Sequence, residues 1–450
     1  MMQRIGRLAL LWLTLFAVFA ALMVLVYAVP NSWIKSHVRA SAEQIRLEGH
    51  PYTPLVGLSS LMPDNFTDAL MLNQALNSHD AGPVQAAFGS YMQTVGPEAD
   101  DAIADLEVAV AGEGAPTSYA RYWHGYQVWL RPLLVLFDLR AIRFLNAIVM
   151  TICVGVVSAL MAYRLGAKAM VAFVAALLSA GIVIVPVSLQ FTSVFYVMLL
   201  GVAMVTLGMD GEGTLRLDLE TFLVLGALTA FLDLLTAPVL TLGLPLVVLL
   251  VGRMRSERES RALRQLRESA RVSAAWALAY GGTWAAKWAL SSVVLGRNVL
   301  VEAMSVIAHR LDGAEAGVIP QRVETIVRNV AMLFPLFGFN QTVGLQWGVV
   351  AATLAVPTIV VILVVFTLRR HLRTDKRLSR LTGLLIALAL PFGWYLVLND
   401  HSWVHFWMTY RNLAIAVFVV VYGVLYAYEP GYLSTLKARL EGHLRGETNV

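Results

Sequence analysis

The chain has 450 residues, of which 58% are hydrophobic and only 14% charged, with a net charge of +5. A soluble globular domain carries about 25% charged residues, so this composition excludes one and points to an integral membrane protein. The basic residues sit mostly between apolar runs and do not mark a nucleic-acid partner. Cys153 is the only cysteine, which rules out an intrachain disulfide and a cysteine zinc site.

Apolar runs that approach or exceed the roughly 30 Å of a hydrocarbon core recur along the chain. Lipid cannot satisfy free backbone groups, so such runs are read as helices. The first, 8–29, follows Arg4 and Arg7 and is longer than a signal-peptide core, which makes it a retained anchor. A polar stretch, 30–139, comes next. Further spans are expected at 141–163, 169–187, 191–209, 219–236, 238–252, 272–295, 345–368, 381–398 and 412–428, ten in all. With both termini inside, the inner segments hold 21 Lys and Arg and the outer ones 12, in much longer loops. The fold class expected is therefore an all-α membrane protein, a single polytopic domain with about ten spans. Two large outer loops, 30–139 and 296–344, carry short interfacial helices.

Within the first outer loop, 67–76 and 119–139 read as amphipathic pieces at the membrane interface, the second rich in Tyr, Trp and Arg. The acidic, small-residue stretch 100–114 reads as a mobile surface loop. Residues 253–271 read as a basic inner-surface helix facing anionic lipid heads. Two N-glycosylation sequons, at Asn65 and Asn340, fall in outer loops. No internal repeat is visible.

Charge is scarce, so its placement carries weight. Asp64 and Asp68, in Met62-Pro63-Asp64-Asn65-Phe66-Thr67-Asp68, share one face if the segment is helical. Asp64 can cap a helix that starts near residue 66. Either carboxylate, raised in pKa near low-dielectric surroundings, can take a proton as a general base. Together they could instead hold a divalent cation with phosphate oxygens. Lys287 lies in the outer half of the seventh span and Asp233 at the outer end of the fifth; an intramembrane charge usually faces an interior or a wet cavity. Snorkelling for Lys287 and helix capping for Asp233 are the alternatives. Segment 399–411 offers His401, His405 and Arg411, whose guanidinium fork suits phosphate; aromatic-belt packing is its other reading. Segment 119–126 adds Arg121 and His124 among aromatic side chains, as an anchor or the lip of a substrate groove.

This layout resembles the GT-C superfamily of polytopic glycosyltransferases. Its members have an inside N-terminus and one span, then a large outer loop with a functional aspartate. After about seven spans, a second outer loop covers the active site. The acidic pair of many members is adjacent, whereas Asp64 and Asp68 stand four apart. The resemblance implies transfer of a sugar from a polyprenyl-phosphate donor to a glycan, lipid or protein acceptor. The site would face the outer side of a bacterial cytoplasmic membrane. Asp64 or Asp68 would take the acceptor proton, and Lys287, Arg411 and Arg121 would stabilise the lipid phosphate as it leaves, inverting the anomeric centre. A transporter or flippase, and another lipid-linked transferase or ligase, are the competing readings. The unequal loops and the missing repeat speak against a carrier.

Overall fold

The computed structural model describes residues 2–49, 51–53, 55, 58–76, 81–96, 101–255, 262–312, 318–333 and 381–427. They are mostly helical. In chain order, the first helices are α1 (Met2–Tyr27), α2 (Asn31–Glu48), α3 (Asn65–Leu76), α4 (Pro83–Gly89), α5 (Ala102–Ala111) and α6 (Gln127–Leu136). Next come α7 (Leu139–Leu165), α8 (Ala167–Ser179), α9 (Leu189–Gly208), α10 (Asp218–Leu232), α11 (Leu240–Arg255) and α12 (Ala262–Leu295). The last are α13 (Val299–Asp312), α14 (Val318–Ala331), α15 (Leu384–Val397), α16 (Asn399–Val404), α17 (Phe406–Thr409) and α18 (Ala414–Ala427).

Four stretches among the described residues are long and apolar enough to cross a membrane: Gln3–Tyr27, Leu139–Leu165, Leu189–Gly208 and Phe406–Tyr426. Four of the ten expected spans thus meet both conditions among the described residues. Five other apolar helices span fewer than 18 residues, and the expected span 345–368 lies outside the described residues. The shortfall has local causes. Where one run was expected at 169–187, α8 stops at Ser179. The chain then turns through Gly181, at φ +67°, and a 3-10 turn at Val185–Val187 that contains Pro186. Glycine takes this left-handed backbone without strain.

The four stretches differ in what surrounds them. Gln3–Tyr27 is only 17% buried and Leu139–Leu165 22%, whereas Leu189–Gly208 is 67% buried. α9 is thus an interior helix, and α1 and α7 present bare apolar surface, as helices facing lipid do. α10 lies against α12 so closely that a Cβ on Gly226 would fall 2.2 Å from the carbonyl oxygen of Trp276. Arg4 pairs with Asp218 at 2.8 Å, Arg7 with Glu220, and Arg271 again with Asp218. These pairs gather the N-terminal ends of α1 and α10 beside α12, with acids in the first turn of α10, where the helix dipole favours them.

The first outer segment is a packed unit, and three expectations change there. Residues 102–111 are not a mobile loop. They form α5, capped by Asp101, closed by Gly112 at φ +83°, and tied to Val95 N–H through Asp105 at 2.7 Å. Segment 119–139 does not lie flat on a surface, because Trp123, Tyr126, Leu130 and Arg131 are buried. Arg131 donates to the carbonyls of Val26 and Val29 at the end of α1, and of Ala75 at the end of α3. It thereby adds a side-chain donor to carbonyls at the ends of α1 and α3. The Asn65 sequon is not open to modification, since Asn65 is buried; Asn340 lies outside the described residues. A two-stranded antiparallel sheet, β1 (Tyr91–Thr94) with β2 (Ala115–Ser118), on either side of α5 in the chain, closes the unit. Of the expected basic helix at 253–271, the described parts belong to the end of α11 and the start of α12.

Candidate functional site

Asp64 stands at the start of α3 and caps it. Its Oδ1 accepts from Thr67 N–H at 2.9 Å and its Oδ2 from Thr67 Oγ1–H at 2.7 Å. Asp68 N–H donates to Asp64 O at 3.0 Å, the first helical bond. One turn on, Asp68 faces the same way. Asp64 is 1% exposed and Asp68 0%, an unusual burial for two carboxylates unless each has partners.

The two are partnered differently. Asp68 Oδ2 accepts from Arg143 Nη2 at 2.9 Å, and Oδ1 from Leu189 N–H, at the start of α9, at 2.9 Å. Arg143, in the first turns of α7, also donates to Glu48 at 2.8 and 3.0 Å and to Asn65 Oδ1 at 2.8 Å. Asn65 Nδ2 completes the ring by donating to Glu48 Oε2 at 2.9 Å. Three helices, α2, α3 and α7, are locked by this cluster, and both oxygens of Asp68 are engaged in it.

Asp64 has a separate set of neighbours. Its N–H donates to Ser188 Oγ at 3.3 Å. The 410–413 turn packs against the residues just before it, with Tyr410 Oη donating to Ser60 O at 2.9 Å. Arg411 is buried there, with its guanidinium carbon 3.9 Å from the centre of the Phe191 ring. Arg411 Nη1 donates to Trp407 O at 2.9 Å. Its Nε and Nη2 have no hydrogen-bond partner among the described residues, nor has either amide atom of the neighbouring Asn412. Nε and Nη2 form the edge by which a guanidinium grips two oxygens of a carboxylate or phosphate.

The electrostatics follow from this geometry. Burial pushes the Asp64 carboxyl up to about 7; hydrogen bonds from Thr67 and the Arg411 charge oppose it, while the Asp68 charge adds to it. Burial also raises Asp68, to about 6, against the pull of Arg143 and the backbone donors at 189 and 190. Glu48 is pulled up by burial but ends below its ordinary value, because Arg143, Gln44 and Asn65 hold its anion. Asp64 is the carboxylate poised to exchange a proton near neutrality, and Asp68 is the one fixed by an ion pair. No group of three or more His, Cys, Asp or Glu that could hold a metal occurs among the described residues. The donors to this pair are Thr67 for Asp64, and Arg143 and Leu189 N–H for Asp68.

Of the residues singled out from sequence, Asp64, Asp68 and Arg411 come together. The others gather around α12 and the 119–126 turn. Lys287 is buried; its Nζ donates to Phe88 O at 3.0 Å and Ser291 Oγ at 2.8 Å, between the rings of Phe88 and Trp123. It neither snorkels nor faces lipid. His124, at φ +54°, sits between Tyr126 Oη and Tyr119 O, each at 2.9 Å. Burial pushes it down to about 3, and Lys287 and Arg121 push the same way, so it is neutral. Arg121 stacks on Tyr119 at 4.4 Å. Asp233 caps the turn after α10, accepting from Thr236 N–H at 3.2 Å. His401 pairs with Leu235 O at 2.9 Å, its ring 4.8 Å from that of His405.

Sequence reasoning missed Glu48, Arg143 and Ser188. Arg143 carried a usable signal, since it is a charge at the mouth of an apolar run. Nothing local links it to an aspartate 75 residues away. The structure defines a helical protein with four stretches long and apolar enough to cross a membrane among the described residues, and with a buried acid–guanidinium cluster. The chain matches no protein-family model, no curated protein and no solved structure.

Proposed function

We propose that the protein is a membrane glycosyltransferase of the GT-C type. It moves a sugar from a polyprenyl-phosphate donor to an acceptor hydroxyl on the extracytoplasmic face of a bacterial cytoplasmic membrane. In this reading the shorter apolar helices complete a ten-span bundle with both termini inside. The observation that carries the proposal is the open Nε/Nη2 edge of buried Arg411 within electrostatic reach of Asp64.

The chemistry assigns one task to each group. The acceptor O–H gives its proton to Asp64, whose oxygens keep lone pairs beyond those used by Thr67. The acceptor oxygen bonds to the anomeric carbon as the bond from that carbon to the phosphate oxygen breaks. The bonding pair leaves with polyprenyl phosphate, and the Arg411 fork receives the growing charge. Asp68, held by Arg143, positions α3 and so Asp64. The four-residue spacing then reflects a division of labour: one acid titrates, the other anchors.

The test is release of labelled sugar from a panel of polyprenyl-phosphate sugars by purified protein in lipid nanodiscs. Asp64→Asn is expected to lose about 10²–10⁴ in turnover, the usual worth of a general base. Asp68→Asn is expected to lose less and to keep a titratable acid limb. Turnover unchanged in Asp64→Asn would falsify the assignment of the base.

A further inference from the structure

A cavity of about 420 Å³ lies apart from the carboxylates, between α12, α13, the end of α15 and the 121–122 turn. Its volume is that of a small-molecule site, and three observations define what fits it. Its wall is apolar and aromatic, with Trp284, Trp288 and Trp394 among the lining. Val397 in its lining is 60% exposed, and the two helices that frame it carry further exposed apolar side chains, Leu396 on α15 and Val301 and Met304 on α13. An apolar mouth among bare apolar side chains opens to hydrocarbon.

The polar groups on the wall are few and specific. The buried indole N–H groups of Trp284 and Trp394 have no acceptor among the described residues. An isoprenoid chain offers them none, whereas an acyl ester carbonyl does. Arg121 lines the cavity as well, and its Nε is unpartnered. Its charge is shared with Glu302, 3.7 Å away, which Arg297 approaches at 3.6 Å. Two cations and one anion leave a single positive charge, the match for a phosphodiester monoanion.

We propose that this cavity binds a glycerophospholipid of the bilayer. One acyl chain fills it, the ester carbonyls accept from Trp284 and Trp394, and the phosphodiester lies against Arg121. This site is separate from the proposed transfer centre and its test reads binding alone.

The experiment uses the purified full chain in nanodiscs containing phosphatidylglycerol with a diazirine at the acyl terminus, in ester-linked and ether-linked forms. Peptide mapping is expected to find the ester lipid on residues 280–307 and 394–398. The ether lipid should label these about tenfold less, the worth of a lost hydrogen bond to a buried donor. In the Trp284→Phe/Trp394→Phe variant the two lipids should label equally, and Ala303→Trp, which fills the cavity, should abolish labelling. Equal labelling by both lipids in the unaltered protein, or displacement of the label by polyprenyl phosphate, would overturn the proposal. The ester-to-ether ratio is read within one protein, so a poorly folded Ala303→Trp does not decide the outcome.

Discussion

Replacing Asp64 by Asn should make the protein more stable and less active at the same time, and pH separates the two effects. Asn caps a helix about as well as Asp, so the bond from Thr67 N–H survives. What disappears is the ionised form. The carboxyl is raised from 3.8 to about 7. A group raised in the folded state lends stability that is complete below its unfolded value and is lost as pH rises through the folded one. For Asp64 that window runs from about pH 4 to about pH 7, and the loss at pH 8 is about 4 kcal/mol. Asp64→Asn carries no such loss. Melting followed by intrinsic fluorescence in nanodiscs should show the variant level with the parent near pH 4 and well above it at pH 8. Turnover of the parent should rise as pH passes about 7, since the base works deprotonated. An Asp64→Asn protein that melts at or below the parent at pH 8 would refute the burial argument, whatever its activity.

The remaining predictions use the same clusters. Asp68→Asn removes a negative charge that helps raise Asp64, so the acid limb of turnover should move to lower pH; a limb that stays or moves up would count against the coupling. Arg411→Lys keeps the charge but loses the two-pronged edge, and should raise KM for the lipid-phosphate donor about tenfold or more, read in the sugar-release assay. Arg143→Met leaves Asp68 and Glu48 facing each other without their cation and should destabilise by about 3–5 kcal/mol, measured as loss of thermal stability. Lys287→Met should leave the pH dependence of turnover unchanged, because Lys287 is bonded to α4 and not to the carboxylates.

Much of the helical frame was legible because lipid imposes it. The runs at 141–163 and 191–209 became α7 and α9 with shifts of about two residues, as expected when helix ends are fixed by caps outside the apolar core. Asp64 and Asp68 did fall one turn apart at the start of α3, and the capping role of Asp64 was readable from the turn that Pro63 signals. The break within the expected run 169–187 was not. Mean hydropathy does not register a left-handed turn at Gly181, so an apolar run that bends still looks like a crossing. The partners of the acids were hidden for another reason. Arg131 and Arg143 both counted as outer-loop charges, yet one donates to carbonyls at two helix ends and the other binds two acids. Charge counting assigns a side of the membrane; it contains no information about which distant group a cation meets.

The arrangement also accounts for why Asp64 is raised further than Asp68, to about 7 against about 6. Counted together, Glu48, Asp68 and Asp64 face Arg143 and Arg411. With Asp64 ionised the group carries one net negative charge; with Asp64 protonated it is neutral, the form low-dielectric surroundings favour. Glu48 and Asp68 share one guanidinium through several short bonds and remain fixed. Asp64 has only Thr67 and the more distant Arg411 charge, so the proton goes there. In the proposed transfer, a proton arrives on Asp64 as negative charge appears on a phosphate at Arg411. The protein cluster moves to its neutral, favoured state as the ligand gains the charge that the guanidinium was open to receive. Both oxygens of Asp68 are already engaged, by Arg143 and by Leu189 N–H, which is the physical reason for assigning the base to Asp64.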